Sequence, residues 1–205
     1  VTPARAAVAV LLLVAAPATI AAPPPSPSPT AASEAEALAN RLQLELADRL
    51  RAALASGGPA GAVTVCRDEA PAIAGRLSRD SGWTVRRVGT RVRNPLLGAP
   101  DAWEQRQLLS MAKRIAGGAK PDKLAVYAEV EEPQGVAQRY LKPLVTGPTC
   151  VGCHGDPALI TPDTRAALAR EYPHDAATGY ALGELRGAIT LKRLVPRIAS
   201  EPAEP

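Results

Sequence analysis

The chain has 205 residues, with 24 Lys and Arg against 20 Asp and Glu and a net charge of +4. That length suits one domain with its own core, and a mild charge excess without a long basic run gives nucleic-acid binding no support. Aromatic residues make up 3% and Phe is absent, so the core is expected to be built from Leu, Val, Ile and Ala.

At the N-terminus, Arg5 precedes the apolar run Ala6–Ala16, and small residues follow around Pro17, Ala18, Ala21 and Ala22. These are the three parts of a secretory signal peptide, expected to occupy residues 1–22. The run is shorter than the ~20 residues of a spanning helix, so cleavage is expected and no stable membrane span after it. No cysteine lies near the cleavage region to carry a lipid. Residues 23–32, rich in Pro and Ser, read as an extended linker.

Ser33 and Glu36 have capping-box spacing and are expected to start a helix. Its apolar stripe is Leu38, Leu42, Leu46, Leu50 and Leu54 with Ala35, Ala39 and Ala53, and Gly57-Gly58-Pro59 is its expected stop. Ala60 to Leu77 is helical by periodicity, interrupted at Pro71. Val63, Cys66, Ala70, Ile73, Ala74 and Leu77 share one face, so Cys66 is expected to point inward.

Trp83 to Arg93 reads as a strand, and Asn94 to Pro100 as a loop. Asp101 caps a helix that runs to about Ala116, with Leu108, Met111, Ala112 and Ile115 on its inner stripe. Leu124 to Glu131 and Val136 to Val145 alternate with period two around the turn Pro133-Gln134-Gly135, the pattern of an antiparallel hairpin. Pro162 to Glu171 is a short helix, Tyr172 to Gly183 a loop, and Gly187 to Val195 a last strand with Ile189, Leu191 and Val195 inward. Mixed strands and helices around a central hairpin indicate an α+β domain over 33–197, with 198–205 as a tail.

Between hairpin and short helix stands Cys150-Val151-Gly152-Cys153-His154-Gly155. Two cysteines two residues apart, followed at once by His, form the attachment pattern of a c-type haem. The thiols of Cys150 and Cys153 add to the two vinyl groups, and the imidazole of His154 is carried beneath the iron as its proximal ligand. Haem c, one per chain and covalently attached, is therefore the expected cofactor. Bacterial c-type haem is attached on the periplasmic side, in keeping with the signal peptide, so the expected location is the periplasm. Zinc binding through the same three residues would need a fourth ligand from elsewhere.

The sixth iron position has three side-chain candidates in the sequence: Cys66, Met111 and His174. Met111 sits in an apolar stripe and His174 in a polar loop. Cys66 is the cysteine left over from an odd total of three, on an apolar helix face. Arg86, Arg87, Arg91 and Arg93 are the densest basic cluster. Arg87, Arg91 and Arg93 share a face read as solvated, whereas Arg86 lies on the other and is a candidate partner for a haem propionate.

Several dispersed segments add a resemblance. Ala70-Pro71-Ala72-Ile73-Ala74, Gly82-Trp83-Thr84-Val85-Arg86-Arg87, Arg93-Asn94-Pro95 followed by Pro100-Asp101-Ala102-Trp103-Glu104, Tyr140-Leu141-Lys142-Pro143-Leu144, Cys153-His154-Gly155, and Tyr172-Pro173 through Gly179-Tyr180 to Arg186-Gly187-Ala188 occur in order along the chain. Together they resemble the c-type haem proteins with a PAS-like fold first known from cyanobacteria. The segment Leu96-Leu97-Gly98-Ala99 is slightly longer than that family's pattern. The resemblance implies a PAS-like central antiparallel sheet flanked by helices behind a long N-terminal helix. It also implies an axial pair of His154 and Cys66.

Such a site is expected to serve redox sensing or electron transfer rather than catalysis. Some relatives carry the domain ahead of a membrane segment and a signalling output, so signalling here is expected to use a separate redox partner or membrane-bound signalling protein. The alternatives are an NO- or CO-sensing haem domain and a peroxidase-like haem enzyme, for which His174 is the remaining histidine.

Overall fold

The computed structural model describes residues 29–196. The expected signal peptide, residues 23–28 of the linker and the tail lie outside the described residues. Among the described residues, no helix is long and apolar enough to cross a membrane.

Helix α1 spans Pro29–Thr64. It begins before Ser33, whose hydroxyl donates to the Thr30 carbonyl inside the helix, so the expected capping box does not form and residues 29–32 are helical rather than linker. Small residues recur at helical spacing on its buried face, Ala31, Ala35 and Ala39, followed by Leu42. That face lets the helix lie close against the sheet. Beyond Leu42 the helix is only partly covered, and Leu44 is 65% exposed. The expected stop at Gly57-Gly58-Pro59 is instead a kink. Gly58 adopts φ 60°, ψ −168°, a torsion that glycine tolerates best and that suits a residue preceding proline. The helix resumes at once because Ala60 and Val63 pack on Ala167, Leu168 and Tyr172.

After α1 comes a π-helical turn, Val65–Glu69, and then α2, Ala70–Ser81. Pro71 supplies the reason for the turn. It has no N–H to offer the carbonyl four residues back, and the wider ring is closed by Ala70 N–H donating to the Val65 carbonyl. Helix α2 ends on Gly82 in the left-handed region.

Strand β1 (Thr84–Gly89) is followed by the short helix α3 (Pro95–Gly98), where a loop was expected, and by α4 (Ala102–Ala116). Asp101 caps α4, with a full capping box to Glu104. The hairpin forms as β2 (Val126–Glu132) and β3 (Gly135–Val145). Helix α5 (Val151–His154) carries the cysteine–histidine motif, α6 spans Pro162–Glu171, and β4 (Leu185–Pro196) closes the fold. Val195, expected inward, is 44% exposed because it lies at the far end of β4, opposite Val136 beside the hairpin turn.

The sheet is open and antiparallel, in the order β1-β4-β3-β2. Helices α1 and α2 cover one face through Leu42, Leu77, Val85, Tyr140, Ile189 and Leu191. Helix α4 covers the other through Val88, Leu108, Met111, Leu141 and Ala188. Strand β4 is thus buried on both sides over Gly187–Leu191. This is the α+β arrangement expected from the sequence, with a long N-terminal helix against a central antiparallel sheet.

Two faces of a strand alternate with period two, so β1 sends Val85 and Arg87 toward α1 and α2, and Arg86 and Val88 toward α4. The register agrees: Arg87 stands opposite Ile189 and Arg86 opposite Thr190. Arg86 and Thr190 both donate to Glu104, at 2.5 and 2.7 Å, a carboxylate 1% exposed on α4. Arg139, itself 4% exposed, pairs with Asp101 and lies 3.5 Å from Glu104. This polar cluster fixes α4 on the sheet.

Candidate functional site

Helix α5 is a single turn held from outside. The His154 N–H donates to the Cys150 carbonyl and Gly155 N–H to Val151, each at 2.9 Å. A Cβ on Gly155 would sit 2.6 Å from the Val151 carbonyl oxygen, so the chain can leave the turn this closely only at glycine. Gly179 N–H donates to Gly155 O at 2.7 Å and Tyr180 N–H to His154 O at 2.9 Å. The motif is thereby strapped to the loop that precedes β4.

Arg93 reinforces the strap. Its guanidinium donates to the Cys153 carbonyl at 2.6 Å and pairs with Asp175 at 3.0 Å, and both side chains are largely buried. The Asp175 carboxylate in turn accepts from Ala177 N–H at 2.8 Å. That bond orients the Ala177 carbonyl, which lies 2.8 Å from Nδ1 of His154. A carbonyl only accepts, so Nδ1 carries the proton and Nε2 keeps its lone pair. Burial, with Arg93 and Arg186 nearby, pushes His154 down to about 3, so the imidazole is neutral at ordinary pH. Tyr180 packs edge-on to the ring, with centroids 6.4 Å apart, and its hydroxyl accepts from Arg91 N–H at 2.8 Å.

His154 opens on a cavity of about 370 Å³. Cys66, in the π-helical turn, lines the same cavity, as do Ala70 and Pro71 from the start of α2. The sequence motif and the leftover cysteine are thus brought together from segments far apart in the chain. Met111 is packed in the α4 core on the other face of the sheet, and His174 is exposed; neither lines the cavity. All three cysteines are free thiols, partly buried, and burial pushes the Cys153 thiol up. Among the described residues there is no group of three or more His, Cys, Asp or Glu placed to hold a bare metal ion.

The arginines divide differently from the sequence expectation. Arg86, the expected propionate partner, also lines the cavity, and its guanidinium donates to Glu104 and, at 3.0 Å, to the Ala99 carbonyl. Arg87, read from the sequence as solvated, lies along the cavity with Cys66, and Arg186 joins it from the start of β4. Among the described residues neither Arg87 nor Arg186 is paired with a carboxylate, and Nε of Arg186 is buried without a partner. Tyr172, also on the cavity wall, is pushed up to about 12 by burial and then by Cys66. Asp175 and Glu184 had no role legible in the sequence; Asp175 serves the strap, and Glu184 pairs with Arg91 at 2.5 Å.

An open antiparallel sheet with a strapped Cys-x-x-Cys-His turn and a further cysteine lining the same cavity defines an α+β domain of narrow type. The profile of the Tll0287-like family matches residues 26–193, and the chain belongs to that family. Among solved structures, the crystal structure of the cyanobacterial heme-protein Tll0287 shares the fold. Its TM-score is 0.63 at 20% sequence identity, over 85% of this chain and 100% of that one. No match was found among curated proteins.

Proposed function

We propose that this chain is a periplasmic c-type haem protein that serves redox sensing or electron transfer through a separate partner, not catalysis. Cys150 and Cys153 hold the haem covalently, His154 is the proximal iron ligand, and Cys66 is the distal one. The observation that carries this reading is that Cys66 and His154 line one cavity, whereas Met111 and His174 do not. The protein of shared fold is described as a heme-protein.

The donor set suits the group. His154 offers a neutral imidazole whose Nδ1–H is engaged, leaving Nε2 for a metal. The walls combine apolar surface from Ala70, Val85 and Leu144 with Arg87 and Arg186, two cations without carboxylate partners among the described residues. An apolar ring bearing carboxylates answers to that combination.

When bound, the haem supplies an iron that exchanges one electron. An anionic sulfur from Cys66 would favour the oxidised form and lower the potential, and Cys66 would accordingly be held less firmly in the reduced protein. Its attachment to a π-helical turn gives that difference a mechanical outlet, because release of the side chain frees the turn between α1 and α2. His174, exposed and off the cavity, is poorly placed to act as the acid or base of a peroxidase-like enzyme.

The test is to compare absorption and EPR spectra of the ferric protein with those of Cys66→Ala. The wild type is expected to give the low-spin signature of thiolate ligation and the variant to lose it. Identical spectra would remove Cys66 from the iron.

A further inference from the structure

Of the five arginines that line the cavity, Arg87 and Arg186 are not explained by packing. A charge taken out of water needs an anionic partner, and every other arginine described at this site has one or is bonded to carbonyls: Arg86 to Glu104, Arg91 to Glu184, Arg93 to Asp175. Arg87 stands apart. It projects from the β1 face that carries Val85 and stands opposite Ile189, the face covered by α1 and α2. There it lines the cavity together with Cys66 and Arg186. Guanidinium holds only donors, so toward the Cys66 sulfur it can act only as the donor.

We propose that Arg87 is a positioning residue for the Cys66 sulfur, donating a hydrogen bond that draws charge from it and thereby raises the reduction potential of the bound haem. The proposal rests on the reading of Cys66 as the distal ligand. Hydrogen bonds to a ligating sulfur are a recognised lever on the potential of thiolate-bound iron. Without Arg87 the sulfur donates more fully to the oxidised iron, and the oxidised form gains. Arg186, with its buried Nε unpaired, is left to serve a carboxylate of the same group.

The experiment is a spectroelectrochemical titration of the haem-loaded protein, wild type against Arg87→Leu and Arg87→Lys, with ferric EPR on each, repeated in a Cys66→Ala background. Arg87→Leu is expected to shift the reduction equilibrium at least tenfold toward the oxidised form, a fall of about 59 mV for one electron, and to move the thiolate EPR signal. Arg87→Lys is expected to recover more than half of the shift. In the Cys66→Ala background less than half of the shift should remain, because its route through sulfur is gone. An equal shift in both backgrounds assigns Arg87 to the haem carboxylates and overturns the proposal, as does an unmoved EPR signal in Arg87→Leu. If Cys66→Ala alone keeps the wild-type signal, the ligand reading fails first, and the failure is recognisable as that one. Should Arg87→Leu not accumulate, the Lys variant and Arg87→Gln carry the same comparison.

Discussion

Nδ1 of His154 lies 2.8 Å from the carbonyl oxygen of Ala177, and that one contact fixes which ring nitrogen faces the cavity. The carbonyl is itself aimed by Asp175, which accepts from the Ala177 N–H and pairs with Arg93. The state of the histidine is therefore set by a loop more than twenty residues downstream of it.

Replacing Arg93 with Met should loosen that loop. The Arg93–Asp175 pair is largely buried, and removal of one partner leaves the other uncompensated, at a cost of about 3–5 kcal/mol. Urea denaturation should report the loss. The haem-loaded variant should also show a heterogeneous ferric signal, because His154 has lost its fixed orientation; a single sharp signal would count against the role given to the strap.

Glu104 is a purely architectural carboxylate. It is 1% exposed and receives Arg86 and Thr190, with Arg139 close by. Glu104→Ala should destabilise the domain by about 3–5 kcal/mol, since it strands buried arginine. At temperatures where the variant stays folded, its ferric spectrum should match the wild type, since Glu104 lies on the α4 face of the sheet.

Acid should act on the α4 cap. Burial alone would raise the Asp101 carboxyl, but the N–H groups of Glu104 and Trp103 together with Arg139 outweigh it, so the group lies below its ordinary value of 3.8. A carboxylate depressed in the folded state binds fewer protons than in the unfolded chain. Its contribution is complete above 3.8 and is lost as pH falls through the lower folded value. The stability difference between wild type and Asp101→Asn should be flat at neutral pH and shrink below 3.8, as followed by thermal melts in a pH series; a gap that widens in acid would contradict the sign.

Met111→Leu and His174→Ala should both leave the iron spectra unchanged. The first swaps one buried apolar side chain for another in the α4 core, at less than about 1.5 kcal/mol. The second removes an exposed ring. A changed spectrum in either would name a different distal ligand.

The features legible in the sequence were those with local causes. The α4 cap, the hairpin and α6 follow from cap residues and period-two or period-3.6 patterns that tertiary packing did not override. Gly57-Gly58-Pro59 announced a break in torsion, yet whether the helix resumes depends on α6, about a hundred residues away, receiving Ala60 and Val63. Ser33 and Glu36 have the spacing of a cap, but the same spacing also fits inside a helix that starts earlier. Alternation correctly put Arg86 and Arg87 on opposite faces of β1. It could not say which face meets Cys66, because that is settled by where α1 and α2 dock. Arg87, read as solvated, lines the cavity without a carboxylate partner among the described residues, whereas Arg86, which lines it too, is bonded to Glu104. Asp175 gave no signal because its importance passes through a backbone carbonyl, which no residue type records.

The π-helical turn at Val65–Glu69 can also be counted as chain length. A π turn is an α-helix with one residue too many, and each helical residue rotates the chain by about 100°. Deleting a single residue from this turn would close an ordinary helix but swing Cys66 and α2 out of phase with one another by that angle. The cysteine and the helix that packs on Trp83 can share one continuous segment only because the surplus residue absorbs the mismatch. In an alignment of relatives, a one-residue gap here would forecast a domain whose cavity lacks the cysteine, even where the attachment motif is intact.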